Sequence, residues 1–488
     1  MRLNYISKAL GLILTDIGFV TFVPILVALY YQEWNCMLSF FASGIFSLAF
    51  GDILSKVDKK DTDDALNDLK KSEALIIASL AWILFGLIAS IPFLFYGFTP
   101  IDSLFEAVSG ITTTGATILT SFDIPKTLLF WRSFTQWLGG MGIIVLFVAI
   151  LPQFAVAGRQ MFYAESPGPT EEKVTPRIKN TASALWIVYA GLTFLCTLCL
   201  WIAGMNPFDC ICNAMSTLSA GGFSPNPESI GGYHSTAIMY IIFIFMFIAG
   251  ASFVVQSKVL QKKDIRLFWK SEEFRLYTKI ILTISLILAF YLWSENNFSV
   301  VHAISASLYQ VLSLATSTGS SSENYHLWSL DAKLVLFIAM FVSSCSGSAG
   351  GGVKMSRWLI LWKYIKNEMY KILHRNAVLS IKIDRVVVAP DVIKQTLFFM
   401  FCFVGIFALT ALLITIQEED LVIGVTSAIA SLGDIGPAFG GIIGPMGNYS
   451  TLSEFTKIIF ISNMLIGRLE IIPFLVLLHK DFWTLKKG

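Results

Sequence analysis

Four short segments carry the residues with the most specific chemistry. They are Thr-Thr-Thr-Gly-Ala-Thr from Thr112, Ser-Ala-Gly-Gly-Phe-Ser from Ser219, Ser-Thr-Gly-Ser from Ser317 and Asp-Ile-Gly-Pro from Asp434. Aligning them on glycine superposes Gly115, Gly222, Gly319 and Gly436, each roughly one hundred residues from the next, the spacing of an internal repeat. A cation that leaves water needs oxygen ligands that replace its hydration shell at little cost. Backbone carbonyls held facing an axis supply them, as in ion-selective filters. Glycine permits the backbone angles that turn successive carbonyls the same way, and Ser and Thr hydroxyls add ligands or brace the strand. The candidate cation ligands are therefore Thr113, Thr114 and Gly115; Ala220, Gly221 and Gly222; Ser317, Thr318 and Gly319; and Asp434, Ile435 and Gly436. Close packing of membrane helices also uses Gly and Ser, but it does not explain four such turns in register.

A second constellation lies further along each of the last two units. Residues 343–352, Ser-Ser-Cys-Ser-Gly-Ser-Ala-Gly-Gly-Gly, contain no large side chain, and Lys354 follows. Each interior glycine costs a helix about 1 kcal/mol, so a continuous helix is not expected here. A kinked, close-packed crossing is the competing reading. Arg468, in Gly-Arg-Leu-Glu from Gly467, falls near the middle of the last apolar stretch. A charge at membrane depth costs about 2.5–3.5 kcal/mol on insertion scales, so it should face a pore or a partner. Below a filter it would repel resident cations and limit leak. Glu470 or a loop carbonyl is the candidate structural partner. Lys354 either donates to loop carbonyls or marks a membrane boundary.

Elements of membrane length must position these groups. Ten apolar stretches are candidate spans: 8–31, 36–55, 74–97, 126–152, 183–204, 233–258, 276–295, 331–362, 392–416 and 452–478. Between them, 101–112, 208–218, 299–315 and 420–431 are too short to cross and read as pore helices leading into the four glycine turns. A short helix whose C-terminal end points at the axis adds negative potential there. The fold class expected is an all-α polytopic membrane protein: two N-terminal helices, then four helix–pore-loop–helix repeats around one pore. The units are 1–72, 73–158, 159–265, 266–375 and 376–488.

Composition agrees. Of 488 residues, 55% are hydrophobic and 14% charged, with 40 Phe and 12 Trp, and the mean hydropathy is +0.70. A soluble chain of this size cannot cover itself with so few charges. The net charge of +2 implies no polyanionic partner, so no nucleic acid is expected. The seven Cys read as small buried residues rather than a disulfide or metal framework. The apolar run after Lys8 reads as an anchor rather than a cleaved leader. Of the 35 Lys and Arg, all but Lys126, Arg132, Lys333, Lys457 and Arg468 fall on one side of this topology. The positive-inside rule then places both termini in the cytoplasm and opens the pore loops outward. The outer segments carry acids, among them Asp102, Glu106, Asp209, Glu323 and Glu418, which would concentrate cations at an outer mouth.

With these motifs in place, the chain resembles the Trk/Ktr/HKT superfamily of potassium transporters and is similar over essentially its whole length to their TrkH-type subunits. The resemblance implies potassium uptake across the bacterial inner membrane, with potassium ion as substrate and no cofactor on this chain. It implies a homodimer with one pore per protomer. It also implies a cytoplasmic TrkA-like regulatory subunit that binds NAD or adenine nucleotides. In that family glycine at all four aligned positions accompanies potassium selectivity. The resemblance makes Ser346, Gly347, Ser348, Ala349, Gly350, Gly351 and Gly352 an intramembrane loop that blocks the pore under the filter, with Lys354 and Arg468 as further gate residues. Asp434 departs from the family, which more often has a neutral residue there.

Two rival functions fit these features less well. A proton- or sodium-coupled cation symporter usually shows inverted repeats and mid-span acids, whereas these repeats run parallel. A membrane enzyme needs clustered His, Asp or Cys, whereas His234, His302, His326, His374 and His479 are isolated; no enzymatic activity is expected.

Overall fold

A computed structural model describes residues 3–56, 71–142, 178–471 and 473–475. Most of the basic segments 56–71 and 159–179, the end of the expected span 126–152, residues 472 and 476–478 of the last span, and Arg2, Lys480, Lys486 and Lys487 lie outside these described residues.

The N-terminal helices are α1 (Leu3–Val20), α2 (Val23–Tyr31) and α3 (Trp34–Ser55). The order long helix, short helix, extended stretch, helix then recurs four times. It runs through α4 (Lys71–Tyr96), α5 (Pro100–Ile111) and α6 (Lys126–Gly140), then α7 (Ile178–Ile202), α8 (Pro207–Leu218), α9 (Thr236–Ala249) and α10 (Phe253–Lys262). After a short α11 (Arg266–Lys270) come α12 (Glu272–Ser294), α13 (Val300–Ala315), α14 (Leu330–Met340) and α15 (Met355–Leu373). The last unit is α16 (Pro390–Glu418), α17 (Leu421–Leu432) and α18 (Glu454–Arg468). The fold class is the expected one, a polytopic all-α protein.

The four short helices begin alike. Thr99, Asn206, Ser299 and Asp420 each accept a backbone N–H from the first turn of α5, α8, α13 and α17. Such a cap contributes about 1 kcal/mol and fixes where the helix starts. These helices are sheathed by the longer ones: Phe105, Leu218, Leu312 and Leu432 are all fully buried. The long helices instead present apolar side chains outward, for example Phe41 and Ile45 on α3 and Phe398, Phe401 and Leu412 on α16. Lipid is the solvent such a surface fits.

Among the described residues, six helices are long and apolar enough to cross a membrane, or seven if α9 and α10 form one bent span. Of the expected ten, 126–152 and 452–478 lie partly outside the described residues, and two others are broken. The stretch 233–258 is not continuous: α9 and α10 meet at 95° around Gly250-Ala251-Ser252. The stretch 331–362 is interrupted from Phe341 to Lys354. Backbone groups freed at membrane depth must find partners within the protein. Here the two breaks pair with each other: Cys345 N–H donates to Gly250 O and Phe253 N–H to Gly347 O, both at 2.9 Å. Gln256 Nε2 donates to Ile248 O and Ala251 O.

Within the expected basic segment 354–394 lies a two-residue hairpin, Lys382–Ile383 with Val386–Val387. Asp384 and Arg385 turn it with φ of 50° and 69°, the twist a tight hairpin requires. Asp384 caps α12 by accepting Glu272 N–H at 2.6 Å.

Candidate functional site

The four glycine turns share one backbone geometry. The first residue of each triplet, Thr113, Ala220, Ser317 or Asp434, has φ of 59°, 57°, 58° and 52°. The glycines two residues on have φ of 82°, 77°, 71° and 93°. The residues between them, Thr114, Gly221, Thr318 and Ile435, have no such positive φ. Left-handed conformation at alternate residues keeps the peptide planes turning to one side, and each turn follows directly on the C-terminal end of a short buried helix.

The four strands close into a ring in chain order. A Cβ added to Gly115 would collide with Gly221 O, to Gly222 with Thr318 O, to Gly319 with Ile435 O, and to Gly436 with Thr114 O. Each glycine thus lies against the carbonyl preceding the next glycine, and the fourth returns to the first. The twelve candidate ligands are brought together in this ring. Above it is a cavity of about 360 Å³ lined by Gly115, Gly222, Gly319, Phe223, Pro437 and Tyr449, among others.

The bracing behind the ring repeats in part. Ser109 Oγ donates to Ala116 O at 2.5 Å, and Ser313 Oγ to Ser320 O at 2.6 Å. The Thr112–Thr114 and Thr316–Thr318 hydroxyl pairs each meet at 2.8 Å. Other braces belong to one repeat. Gln136 of α6 donates through Nε2 to Gly221 O at 2.7 Å, while its Oε1 accepts from Ser216 Oγ and Phe223 N–H. Tyr449 Oη donates to Gly436 O at 2.6 Å. Glu106, expected at an acidic outer mouth, is instead buried and paired with Arg132 at 2.6 Å. Its other oxygen accepts Ile118 N–H at 2.9 Å. The sequence signal for this pair was Arg132 itself, a cation on the side otherwise depleted of them; Gln136 and Tyr449 gave no signal. Asp102 is likewise paired, with Lys457 at 2.7 Å, and Glu323 with His302 at 3.0 Å. Burial pushes the Glu323 carboxyl up, and His302 draws it partly back. Arg132 and Lys457 therefore neutralise two of the acids expected at the outer mouth, Glu106 and Asp102.

Under the ring lies the interrupted segment of the third repeat. Gly350 packs below Thr316 O, and Gly351 below Gly433 O and Asp434. Gly351 N–H donates to Ser317 Oγ at 2.6 Å. Gly347 and Gly352 adopt φ of 70° and 69°. Within the segment, Ser343 Oγ donates to Gly351 O, and Ser348 Oγ to Ser344 Oγ at 2.7 Å. Lys354 Nζ donates to Gly350 O. Glu273 of α12 holds both ends: its Oε1 accepts Ser346 N–H at 2.7 Å and Ser356 N–H at 2.9 Å.

Arg468 ends α18 beneath the ring. Its guanidinium donates to Ala349 O at 3.0 Å and to Gly139 O. It therefore ties the loop to the end of α6. Glu470, the expected carboxylate partner, pairs with Arg357 instead. The reason is local: the helix stops at Arg468, and Glu470 and Ile471 have φ of 55° and 64°, which redirects the chain. A small cavity of about 100 Å³ lies beside Arg468, Lys354 and the loop glycines.

Residues 37–483 match the family model TrkH, described as a cation transport protein. The chain is 35% identical over 489 residues to the Trk system potassium uptake protein TrkH of Escherichia coli K12, covering 99% of this chain and all of that one. It is 33% identical over 491 residues to the protein of the same description from Vibrio parahaemolyticus, with 99% and 100% coverage. The crystal structure of the potassium transporter TrkH from Vibrio parahaemolyticus superposes with a TM-score of 0.88 at 31% identity, covering 99% of this chain and all of that one. A fourfold glycine ring, a loop beneath it and full-length similarity lead to one conclusion: the chain is a multi-pass membrane protein that belongs to the TrkH family of cation transport proteins.

Proposed function

We propose that the chain is the potassium-conducting subunit of a Trk-type uptake system in the bacterial inner membrane. The observation that carries this reading is the closed ring of four glycines, each against its neighbour's carbonyl. It provides carbonyl oxygens from all four repeats at one level, the arrangement that replaces a hydration shell. The twelve residues Thr113–Gly115, Ala220–Gly222, Ser317–Gly319 and Asp434–Gly436 are the filter. Residues 346–352 with Lys354 and Arg468 are the gate. The loop fills the space under the ring, and Arg468 holds it there by its bonds to Ala349 O and Gly139 O.

The charge bias of the sequence supports cytoplasmic termini and outward-facing pore loops. A cytoplasmic, nucleotide-binding TrkA-like partner acts on the gate from the basic side, and two copies of the chain form the dimer with one pore each. The test is reconstitution into liposomes with reversal potentials measured under opposing potassium and sodium gradients. A filter predicts a potential that follows potassium. A potential that follows sodium equally removes the potassium reading, and one that moves with an imposed proton gradient identifies coupled symport.

A further inference from the structure

The four residues that open the filter triplets share backbone geometry but differ in side chain. Thr113, Ala220, Ser317 and Asp434 all sit at the inner end of their strands with φ of 52–59°. Only Asp434 brings a carboxylate. It is fully buried, and Oδ1 accepts from Thr114 Oγ1 at 3.0 Å. Oδ2 is buried without a hydrogen-bond partner. The hydroxyl of Thr113, in the adjoining strand of the ring, is likewise buried and unpartnered. The loop and the last helix press against this carboxylate: a Cβ on Gly351 or Gly467 would lie 3.0 or 3.2 Å from Oδ2. Lys354 and Arg468 lie near enough to interact electrostatically with this carboxylate, while their described hydrogen bonds go to the carbonyls of Gly350, Ala349 and Gly139.

An acceptor oxygen left open in a protein interior is costly unless something fills it. We propose that Asp434 Oδ2, together with Thr113 Oγ1, forms a cation site at the inner end of the filter, capped in this conformation by Gly351. The site rests on the filter reading and adds to it a carboxyl group supplied by one repeat alone. Its ligands are hard oxygens, so it takes a hard cation: potassium during transport, and barium more tightly, being close to potassium in size with twice the charge. Attraction to a carboxylate scales with the product of charges, so the divalent ion gains more.

The experiment is barium inhibition of potassium flux into proteoliposomes holding the full-length protein. Asp434→Asn keeps an acceptor for Thr114 and removes the charge; the half-inhibiting barium concentration should rise about tenfold or more, the effect of losing one close charge–charge interaction. Thr113→Val, nearly isosteric, should raise it by a smaller factor. Asp434→Glu, which retains the charge, should inhibit nearer to wild type than the Asn variant. Unchanged barium inhibition in Asp434→Asn overturns the site. Should that variant fail to insert, unchanged inhibition in Thr113→Val overturns it. The two readings separate through Gly115→Ser: an unaltered potassium-to-sodium ratio there removes the filter itself, whereas altered selectivity with unaltered barium inhibition at Asp434 removes only this site.

Discussion

The filter ring and the layer beneath it are built on opposite principles. In the ring, four unlike sequences adopt one backbone, with left-handed φ at the first and third positions of every triplet. Below it, among the described residues, the repeats diverge: α6 reaches Gly140, α9 and α10 bend by 95°, α14 and α15 are separated by residues 341–354, and α18 stops at Arg468. The ring is determined locally, by a capped short helix and a glycine. The lower layer is held by bonds between repeats, such as Cys345 to Gly250 and Arg468 to Gly139. Selectivity requires the same ligands on every side of an ion, whereas a gate requires one element that can leave.

This contrast is open to direct attack. The largest effect should come from the ring. Gly115→Ser or Gly222→Ser adds a Cβ against a neighbouring carbonyl and forces a non-glycine residue into left-handed geometry. The potassium-to-sodium permeability ratio should fall about tenfold or more, equivalent to some 1.4 kcal/mol of lost discrimination; an unchanged ratio would show that the glycines lie outside the filter. In the lower layer, removing residues 346–352 should raise flux several-fold with little change in that ratio. A correctly inserted deletion variant with unchanged flux would make the segment a packing element instead of a barrier.

Arg468 distinguishes charge from tether. Arg468→Ala removes both and should raise flux at matched surface expression. Arg468→Lys keeps the charge but loses the planar fork that spans Ala349 O and Gly139 O. A lysine variant as tight as wild type indicates electrostatic repulsion, whereas one that leaks like alanine indicates the tether. The smallest effect belongs to Gln136→Leu, which frees Gly221 O and leaves Ser216 Oγ and Phe223 N–H without that acceptor. Each buried group left unsatisfied costs about 1–3 kcal/mol. The thermal midpoint of the purified protein should drop, and selectivity should weaken less than in the glycine variants. A selectivity loss equal to theirs would mean that one side-chain brace, rather than the backbone, sets the ring.

How much was legible beforehand follows the same division. The short helices expected at 101–112, 208–218, 299–315 and 420–431 occur at Pro100–Ile111, Pro207–Leu218, Val300–Ala315 and Leu421–Leu432. Their caps and their terminating glycine turns are neighbours in sequence, so a linear reading captures them. The bend at Gly250 is not legible in the chain, because three small residues in an apolar run are equally compatible with a straight helix; its open ends are bonded by Cys345 and Gly347 from another repeat and by Gln256.

Sequence alone thus determined membrane residence, the repeat and the backbone character of the four turns, all consequences of composition and nearest-neighbour sterics. Tertiary structure alone decided the partners of the charges. Arg468 found carbonyls on α6 and the loop in place of Glu470, Glu470 found Arg357, Glu106 found Arg132, and Glu273 took the two ends of the loop. In an interior of low dielectric a charge or a freed N–H binds whichever complementary group the packing brings within about 3 Å. Some of those groups come from other repeats and the rest lie tens of residues away, so spacing along the chain carries little record of them.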